Sequence, residues 1–364
     1  MLTHTSTMSL RILICPLHWG LGHAARCRSI IDYFVDRGHE VHVASDGLAF
    51  DFLRLHHPQL PAHRLAPLEI RYGRLFWYKL FTQSFYIIKW MVKDKIRLKE
   101  LQAEFGFDLI LSDSRPACRL KGVASVLLIH QAKPILPWKI LGKVVQLVMK
   151  NWMSRFDRIW IPDIEVNGGL SGNLGNLTSS IQERKIGFLT KIIPSEAESP
   201  TQYQCDILAV VSGPEPMRTR FEHSLRVSLR LADKLMMVGG RPDLAAQSNG
   251  YQSFVNQSTL TGYISVAQYI ICRAGYSTLM DLAAWSKKLI LVPTPGQTEQ
   301  WYLARRLVDL DMAVIWDIEK EDWEHVKERV DQCQRFHLDN NQDLLMHAVA
   351  DIEQYCEKKI NFRR

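Results

Sequence analysis

The sequence predicts an α/β protein: two Rossmann-like, doubly wound parallel-sheet domains that face each other across a cleft. Three observations predict it. Short, almost continuously apolar strands alternate with helix-periodic segments in both halves, which is the pattern of parallel sheets covered on both faces. Most strands run into polar or glycine-bearing turns, as strands do at the C-terminal edge of such sheets. A polar stretch with two prolines, residues 190 to 205, separates two similar halves. The resulting domains are 8–190 and 191–341, with a C-terminal helix at 342–358 expected to pack back on the first domain.

In the first half RILICPL (11–17) reads as a core strand, and residues 23–37 have helical periodicity that stops at Gly38. EVHVASD (40–46), FDLILSD (107–113), SVLLIHQ (125–131) and RIWIPD (158–163) follow as strands. The second half repeats the rhythm with DILAVVSG (206–213), a helix from about Pro216, and then KLMMVGG (234–240). YIICRAG (269–275), KLILVPT (288–294) and MAVIWD (312–317) complete it. Two segments interrupt the alternation. Leu75 to Leu101 is rich in aromatics, with Lys79, Lys89, Lys93, Lys95, Arg97 and Lys99; Pro134 to Arg155 is apolar with Trp138, Trp152, Lys139, Lys143, Lys150 and Arg155. Amphipathic aromatic-plus-basic helices lie on anionic membrane surfaces, and core helices with a solvated lysine face have the same composition.

Composition narrows the class. The chain has 364 residues, enough for two cores, with 47% hydrophobic and 23% charged residues, as in soluble globular proteins. No apolar run approaches the roughly 20 residues that span a bilayer. Arg11 interrupts the first apolar stretch, so no secretory leader is read there, and Met8 is an alternative start. The seven cysteines are scattered, without a CxxC pair, which argues against structural zinc or a disulfide framework and for a reducing cytosol. Residues 1–190 hold 25 Lys+Arg against 15 Asp+Glu, the remainder 20 against 23, so the basic first half suits an anionic partner. No nucleic-acid-binding motif accompanies that charge.

Four turns carry the candidate chemistry. GLGHAAR, with Gly20 and Gly22, lets a phosphate or sugar approach the backbone, and its His23 is placed to act as a general base toward a hydroxyl. Asp113, at the end of its strand, is expected at the same sheet edge, where its carboxylate would accept the imidazole N–H and raise the basicity of His23. His18 is the nearby rival base. A helix-capping His23 and a turn-capping Asp113 are the structural alternatives. SGPEPMR offers Ser212 and Gly213 as a pyrophosphate turn, with Arg218 as its charge partner, or else an ordinary strand-to-helix turn. RAGYSTLMDLA supplies Gly275, Ser277 and Thr278 at a helix start and Asp281 one turn on, where a carboxylate can bind vicinal ribose hydroxyls; Ser277 or Thr278 could instead cap the helix. PGQTEQ adds Gly296, Gln297, Glu299 and Gln300, whose paired donors and acceptors suit sugar hydroxyls.

These residues resemble the glycosyltransferases of the GT-B fold, and within them the family of the peptidoglycan enzyme that adds N-acetylglucosamine to lipid-linked muramoyl-pentapeptide. The resemblance is strong over 206–310 and sparser over 10–165, where GLGHAAR carries most of it. The family's R-x-G-x-x-T-x-x-E motif is met by Arg273, Gly275, Thr278 and Asp281, with the final ribose-binding acid shortened from Glu to Asp. Its paired donor-sugar glutamines are met by Glu299 and Gln300, its glycine run is shorter here, and its usual phosphate loop is replaced by SGPEP. The resemblance implies an inverting transferase. A hydroxyl deprotonated by His23 would attack the anomeric carbon of a UDP-sugar, a hexose or N-acetylhexosamine donor, while helix N-termini and Arg218 or Arg273 neutralise the departing diphosphate, so that no metal or other cofactor is required. Domain closure would exclude water. The acceptor is expected to be a lipid-linked or glycolipid hydroxyl, met by a cytoplasmic protein peripheral on the inner membrane face.

Three other readings fit parts of the sequence. A UDP-N-acetylglucosamine 2-epimerase shares the fold but needs further catalytic acids. A dinucleotide-dependent oxidoreductase fits GLGHAA as G-x-G-x-x-A, with Asp46 as the ribose acid at the end of the second strand. A non-catalytic sugar-nucleotide-binding partner of another enzyme would bind UDP without transfer.

Overall fold

A computed structural model of the chain describes residues 8–18, 21–68, 84–131, 133, 139–175, 183–194, 203–213, 215–230, 234–241, 244, 247–248, 250–341 and 343–362. The chain forms two compact α/β units, one of residues 1–189 with 341–364, the other of residues 190–340.

The N-terminal unit holds one seven-stranded, wholly parallel sheet. Its strands are β1 (Arg11–Pro16), β2 (Glu40–Ser45), β3 (Ala62–Arg64), β4 (Leu109–Asp113), β5 (Ala124–Leu128), β6 (Arg158–Ile161) and β7 (Glu183–Lys185), in the order β3-β2-β1-β4-β5-β6-β7. The central strands are buried on both faces, which is why they read as unbroken apolar runs. Helix α1 (Gly22–Asp36) follows β1 and buries Ala24, Cys27, Ile30, Ile31 and Phe34, the three-and-four spacing of an apolar stripe. It stops where Gly38 takes a φ of 81°, a left-handed conformation that only glycine adopts cheaply. The order reverses between β1 and β4, and because the two strands are parallel the chain leaves both at the same edge. Register places Pro16 beside Asp113 and Asp113 beside Leu128, the last paired residues of the three central strands.

Helices α2 (Gly47–His56), α3 (Ser84–Phe105) and α4 (Lys139–Met153) complete this unit together with the C-terminal α10 (Asp343–Asn361). Three ionic contacts seat α10 on the N-terminal unit. Glu353 accepts two hydrogen bonds from Arg37, each of 2.7 Å, and lies 2.8 Å from His39 Nε2; Asp351 pairs with Arg158; Tyr355 and Lys359 reach Asp157.

The C-terminal unit repeats the plan with β8 (Ile207–Val210), β9 (Leu235–Val238), β10 (Gln247–Ser248), β11 (Tyr251–Gln252), β12 (Tyr269–Cys272), β13 (Lys288–Leu291) and β14 (Ala313–Ile315), ordered β10-β11-β9-β8-β12-β13-β14. Its helices are α5 (Met217–Ser228), α6 (Gln257–Val266), α7 (Tyr276–Leu282), α8 (Thr298–Asp309) and α9 (Trp323–Gln332). A core of Ala209, Phe221, Ile271, Ile290, Val314, Trp316 and Val326 joins strands to helices; each fully buried aliphatic of this kind contributes roughly 1.5–3 kcal/mol.

Every strand read from an apolar run is present. The sequence reading missed β3, β7, β10 and β11, elements of two or three residues at or next to the sheet edges that lack such a run. The expectation of parallel pairing is corrected at one point: β10 and β11 form a small antiparallel hairpin at the sheet margin.

Candidate active site

In the N-terminal unit β1, β4 and β5 deliver four polar side chains to one sheet edge. His23 lies in the first turn of α1, directly after β1, and its Nδ1 stands 2.9 Å from Asp113 Oδ1. Asp113 ends β4, is fully buried, and is followed by Ser114 at a left-handed φ of 55°, which turns the chain sharply away and leaves the carboxylate at the edge. The pairing of His23 with Asp113 was legible in the sequence. What surrounds it was not. Arg26, one helical turn beyond His23 and 1% exposed, donates to Asp113 Oδ2 from Nε at 2.7 Å and to Oδ1 from Nη2. The same Nη2 is 2.9 Å from His23 Nδ1, and Nη1 is 2.9 Å from Nδ1 of His130, just past β5. The i, i+3 spacing of His23 and Arg26 was the available signal.

The electrostatics correct one expectation. Burial by itself would raise the Asp113 carboxyl, but the Arg26 charge and His23 hold it far below the usual carboxylate range. Asp113 was expected to make His23 more basic. The net direction is the reverse, because burial disfavours the imidazolium and Arg26 opposes the pull of Asp113. His23 is therefore an oriented and neutral imidazole at neutral pH. The rival His18 is turned elsewhere, its Nδ1 3.5 Å from Asp46 and its Nε2 accepting from the Leu48 N–H at 3.3 Å. Gly22 opens α1, and Gly20 lies outside the described residues.

Asp46 does not present itself to a ribose. It is 4% exposed and accepts from Arg115 Nη1 at 2.6 Å; Arg115 also binds Asp94 at 2.6 Å and the Ala66 carbonyl at 2.8 Å, and its guanidinium lies 5.1 Å from the Trp90 ring centre. This buried knot removes the acid on which the dinucleotide reading depended.

In the C-terminal unit register aligns Val210, Cys272 and Leu291, so the turns after β8, β12 and β13 share the C-terminal edge of the sheet. Gly213 takes a φ of 114° with nothing within 4 Å of where a Cβ would be, so backbone conformation, not packing, requires glycine there. Gly296, at φ 83°, is the same case. Arg218, expected as the charge partner of a pyrophosphate, is held by protein acceptors. Its guanidinium is spent on Glu215 and Glu222 and on the Gly239 carbonyl, and Glu215 also accepts from the Thr219 N–H and hydroxyl, so a carboxylate already sits at the start of α5. Ser212 precedes this turn.

Arg273 is likewise turned inward. It donates to the carbonyls of Val292 at 2.7 Å and Met217 at 3.4 Å and lies over the Phe221 ring at 4.0 Å, and burial lowers its pKa to about 10. It ties the residue after β13 to the first residue of α5. Gly275 precedes α7, and neither Ser277 nor Thr278 caps that helix, so both half-buried hydroxyl residues are not consumed by capping. Asp281 accepts from the Thr190 hydroxyl at 2.6 Å, and burial pushes its carboxyl up to about 7. Gln300 accepts from the Thr294 N–H at 2.8 Å and donates to Gln297 at 2.6 Å, which fixes the PGQTEQ turn; Glu299 lies in the first turn of α8.

Residues 234–355 match the glycosyltransferase family 28 C-terminal domain. No curated protein matches the chain. Among solved structures, the glycotransferase of kitacinnamycin superposes with a TM-score of 0.61 at 14% identity, covering 98% of this chain and 95% of that one. The calicheamicin glycosyltransferase CalG4 gives 0.62 at 14%, over 97% and 94%. MurG of Acinetobacter baumannii gives 0.53 at 14%, over 94% and 95%. At such identity the likeness is one of fold, and that fold is GT-B.

Proposed function

We infer that this chain, a GT-B protein carrying a glycosyltransferase family 28 C-terminal domain, is an inverting transferase that moves a hexose or N-acetylhexosamine from a UDP-sugar to a hydroxyl. The observation that carries the reading is the pair of a partly exposed His23 and a buried Asp113 at 2.9 Å on the sheet edge of the N-terminal unit. With its Nδ1 proton directed to Asp113, His23 keeps a lone pair on Nε2. That nitrogen takes the proton of the acceptor hydroxyl as the oxygen attacks the anomeric carbon, and the bond to the nucleoside diphosphate breaks on the opposite face. A positioned base of this kind supplies about 100- to 10,000-fold in rate.

On this reading the C-terminal unit holds the donor. The Asp281 carboxylate takes ribose hydroxyls, the turn at Gly296 to Gln300 takes the sugar, and backbone N–H groups around Gly213 and Gly275 meet the diphosphate without a metal ion. Arg218 and Arg273, committed to protein acceptors, shape these turns from behind. One solved relative of the fold is described as complexed with thymidine diphosphate, so dTDP-sugars belong in the test beside UDP-sugars.

A lipid-linked acceptor is supported by α3. Phe85, Ile88, Val92 and Ile96 are 78%, 58%, 53% and 54% exposed and recur at three-and-four spacing, beside exposed Lys89 and Lys93. On α4 Leu147 and Val148 are exposed near Lys143 and Lys150. Apolar stripes bordered by lysines suit the cytoplasmic face of an anionic bilayer. The parts of the aromatic segments at 75–83 and 134–138 lie outside the described residues. Among the described residues no helix is long and apolar enough to cross a membrane.

A thermal-shift series with UDP-, GDP- and dTDP-sugars tests donor binding; UDP-sugars are expected to stabilise most. His23→Ala is then expected to abolish transfer while leaving donor affinity within about twofold. Turnover that survives this change places the base elsewhere.

A further inference from the structure

Nδ1 of His23 has two neighbours at 2.9 Å that make opposite demands on it. Asp113 Oδ1 is an acceptor and requires a proton on Nδ1. Arg26 Nη2 can only donate and requires a lone pair there. Both cannot be satisfied at once, and Arg26 is itself pinned to Asp113 through Nε and Nη2. A guanidinium is always charged, so the buried carboxylate and the guanidinium form an internally neutral pair. The ring of His23 faces that pair, not a lone anion.

We propose that Arg26 is a positioning residue that neutralises Asp113 from the inner side and so keeps His23 an uncharged, Nδ1-protonated imidazole, with Nε2 open as the base. Without Arg26, a buried carboxylate 2.9 Å from the ring would favour a proton on His23, and the imidazolium fraction has no lone pair to give. Without Asp113, Arg26 would donate to Nδ1, move the ring proton to Nε2, and turn the base into a hydrogen-bond donor. Among the described residues, Cys27 and His130 are the other titratable groups near the ring. On α1, Cys27 lies 3.6 Å from Asp113 with its thiol pushed up by burial, hence neutral. From the β5 side, His130 accepts from Arg26 on Nδ1, which fixes its own proton on Nε2. Ser114 adds only a hydroxyl, 3.5 Å from Arg26 Nη2.

The proposal rests on His23 being the base, but its test does not need turnover. The full-length protein labelled at histidine is titrated by NMR, with the His23 resonance assigned by its loss in His23→Ala, and the nitrogen shifts report the tautomer. Arg26→Gln is expected to raise the His23 midpoint by about one pH unit or more. Arg26→Lys, which keeps a cation but loses the two-pronged contact, gives a smaller rise and serves where Arg26→Gln does not fold. Asp113→Asn is expected to lower the midpoint by about one unit or more and to place the neutral proton on Nε2. A merely structural Arg26 would not move the two midpoints in opposite directions. An unchanged or lowered midpoint in both Arg26 variants, or a raised one in Asp113→Asn, overturns the assignment. In transfer assays the acid limb of kcat/KM should follow the His23 midpoint. If the midpoints move as expected while His23→Ala still turns over, the base reading fails and the assignment of Arg26 stands.

Discussion

The Thr190 hydroxyl donates to the Asp281 carboxylate at 2.6 Å while accepting from the Ile192 N–H at 3.0 Å, so the first residue of the C-terminal unit is clamped to helix α7. Burial raises the Asp281 carboxyl to about 7, and the Thr190 hydrogen bond opposes that rise. The folded protein thus binds the Asp281 proton more tightly than the unfolded chain does. Its stability contribution falls as pH climbs from the ordinary carboxylate range through about 7. Asp281→Asn should therefore raise Tm more at pH ~8 than at pH ~5. Thr190→Val should shift the Asp281 midpoint further upward, read by NMR of the labelled carboxyl.

Arg115 is the only cation that Asp94 and Asp46 share among the described contacts, and all three are buried. Arg115→Met is expected to cost about 3–5 kcal/mol in urea unfolding, because it strands two carboxylates away from water. Arg115→Met with Asp94→Asn and Asp46→Asn should recover most of that loss, since no unpaired charge remains.

Glu353 anchors the C-terminal helix through Arg37 and His39. Burial would raise its carboxyl, but these hydrogen bonds hold it below its ordinary value. That stabilisation is present above the ordinary glutamate range and is lost as pH falls through the lowered value. Glu353→Gln is expected to cost about 1–3 kcal/mol at pH ~7 and progressively less toward pH ~4, as measured by chemical denaturation.

Two glycines separate conformational from steric cost. Gly213→Ala meets empty space but must hold a φ of 114°, and should destabilise by about 1–2 kcal/mol. Gly262→Ala has no such backbone demand, yet its Cβ would stand 2.1 Å from the Tyr203 ring. It should cost about 1–3 kcal/mol through overpacking, and Tyr203→Leu should relieve part of that.

Local pattern determined the strands and the turns. Ile12 to Cys15, Leu109 to Leu111 and Ile270 to Cys272 announce buried parallel strands because each faces apolar neighbours on both sides of its sheet. The glycines at 213 and 296 mark turns because few other residues accept their dihedral angles. His23 and Asp113 were legible as a pair, since two strand ends at a topological switch point converge on one edge. Edge strands such as β3 and β7 were not, because a three-residue strand has too few side chains to show a period.

Only tertiary structure decided what each charged group spends its charge on. Arg26, Arg115, Arg218 and Arg273 look alike as letters in a chain. The first bridges Asp113, His23 and His130, the second closes a buried knot, and the last two are held by carbonyls and carboxylates of the C-terminal unit. Asp46 directly follows β2 and Asp113 ends β4, yet one is locked in a core network and the other faces an imidazole. The reason is physical. Periodicity is a property of neighbours along the chain, whereas the state of a buried charge is set by partners about 3 Å away in space, and those partners here come from as far as 316 residues along the sequence.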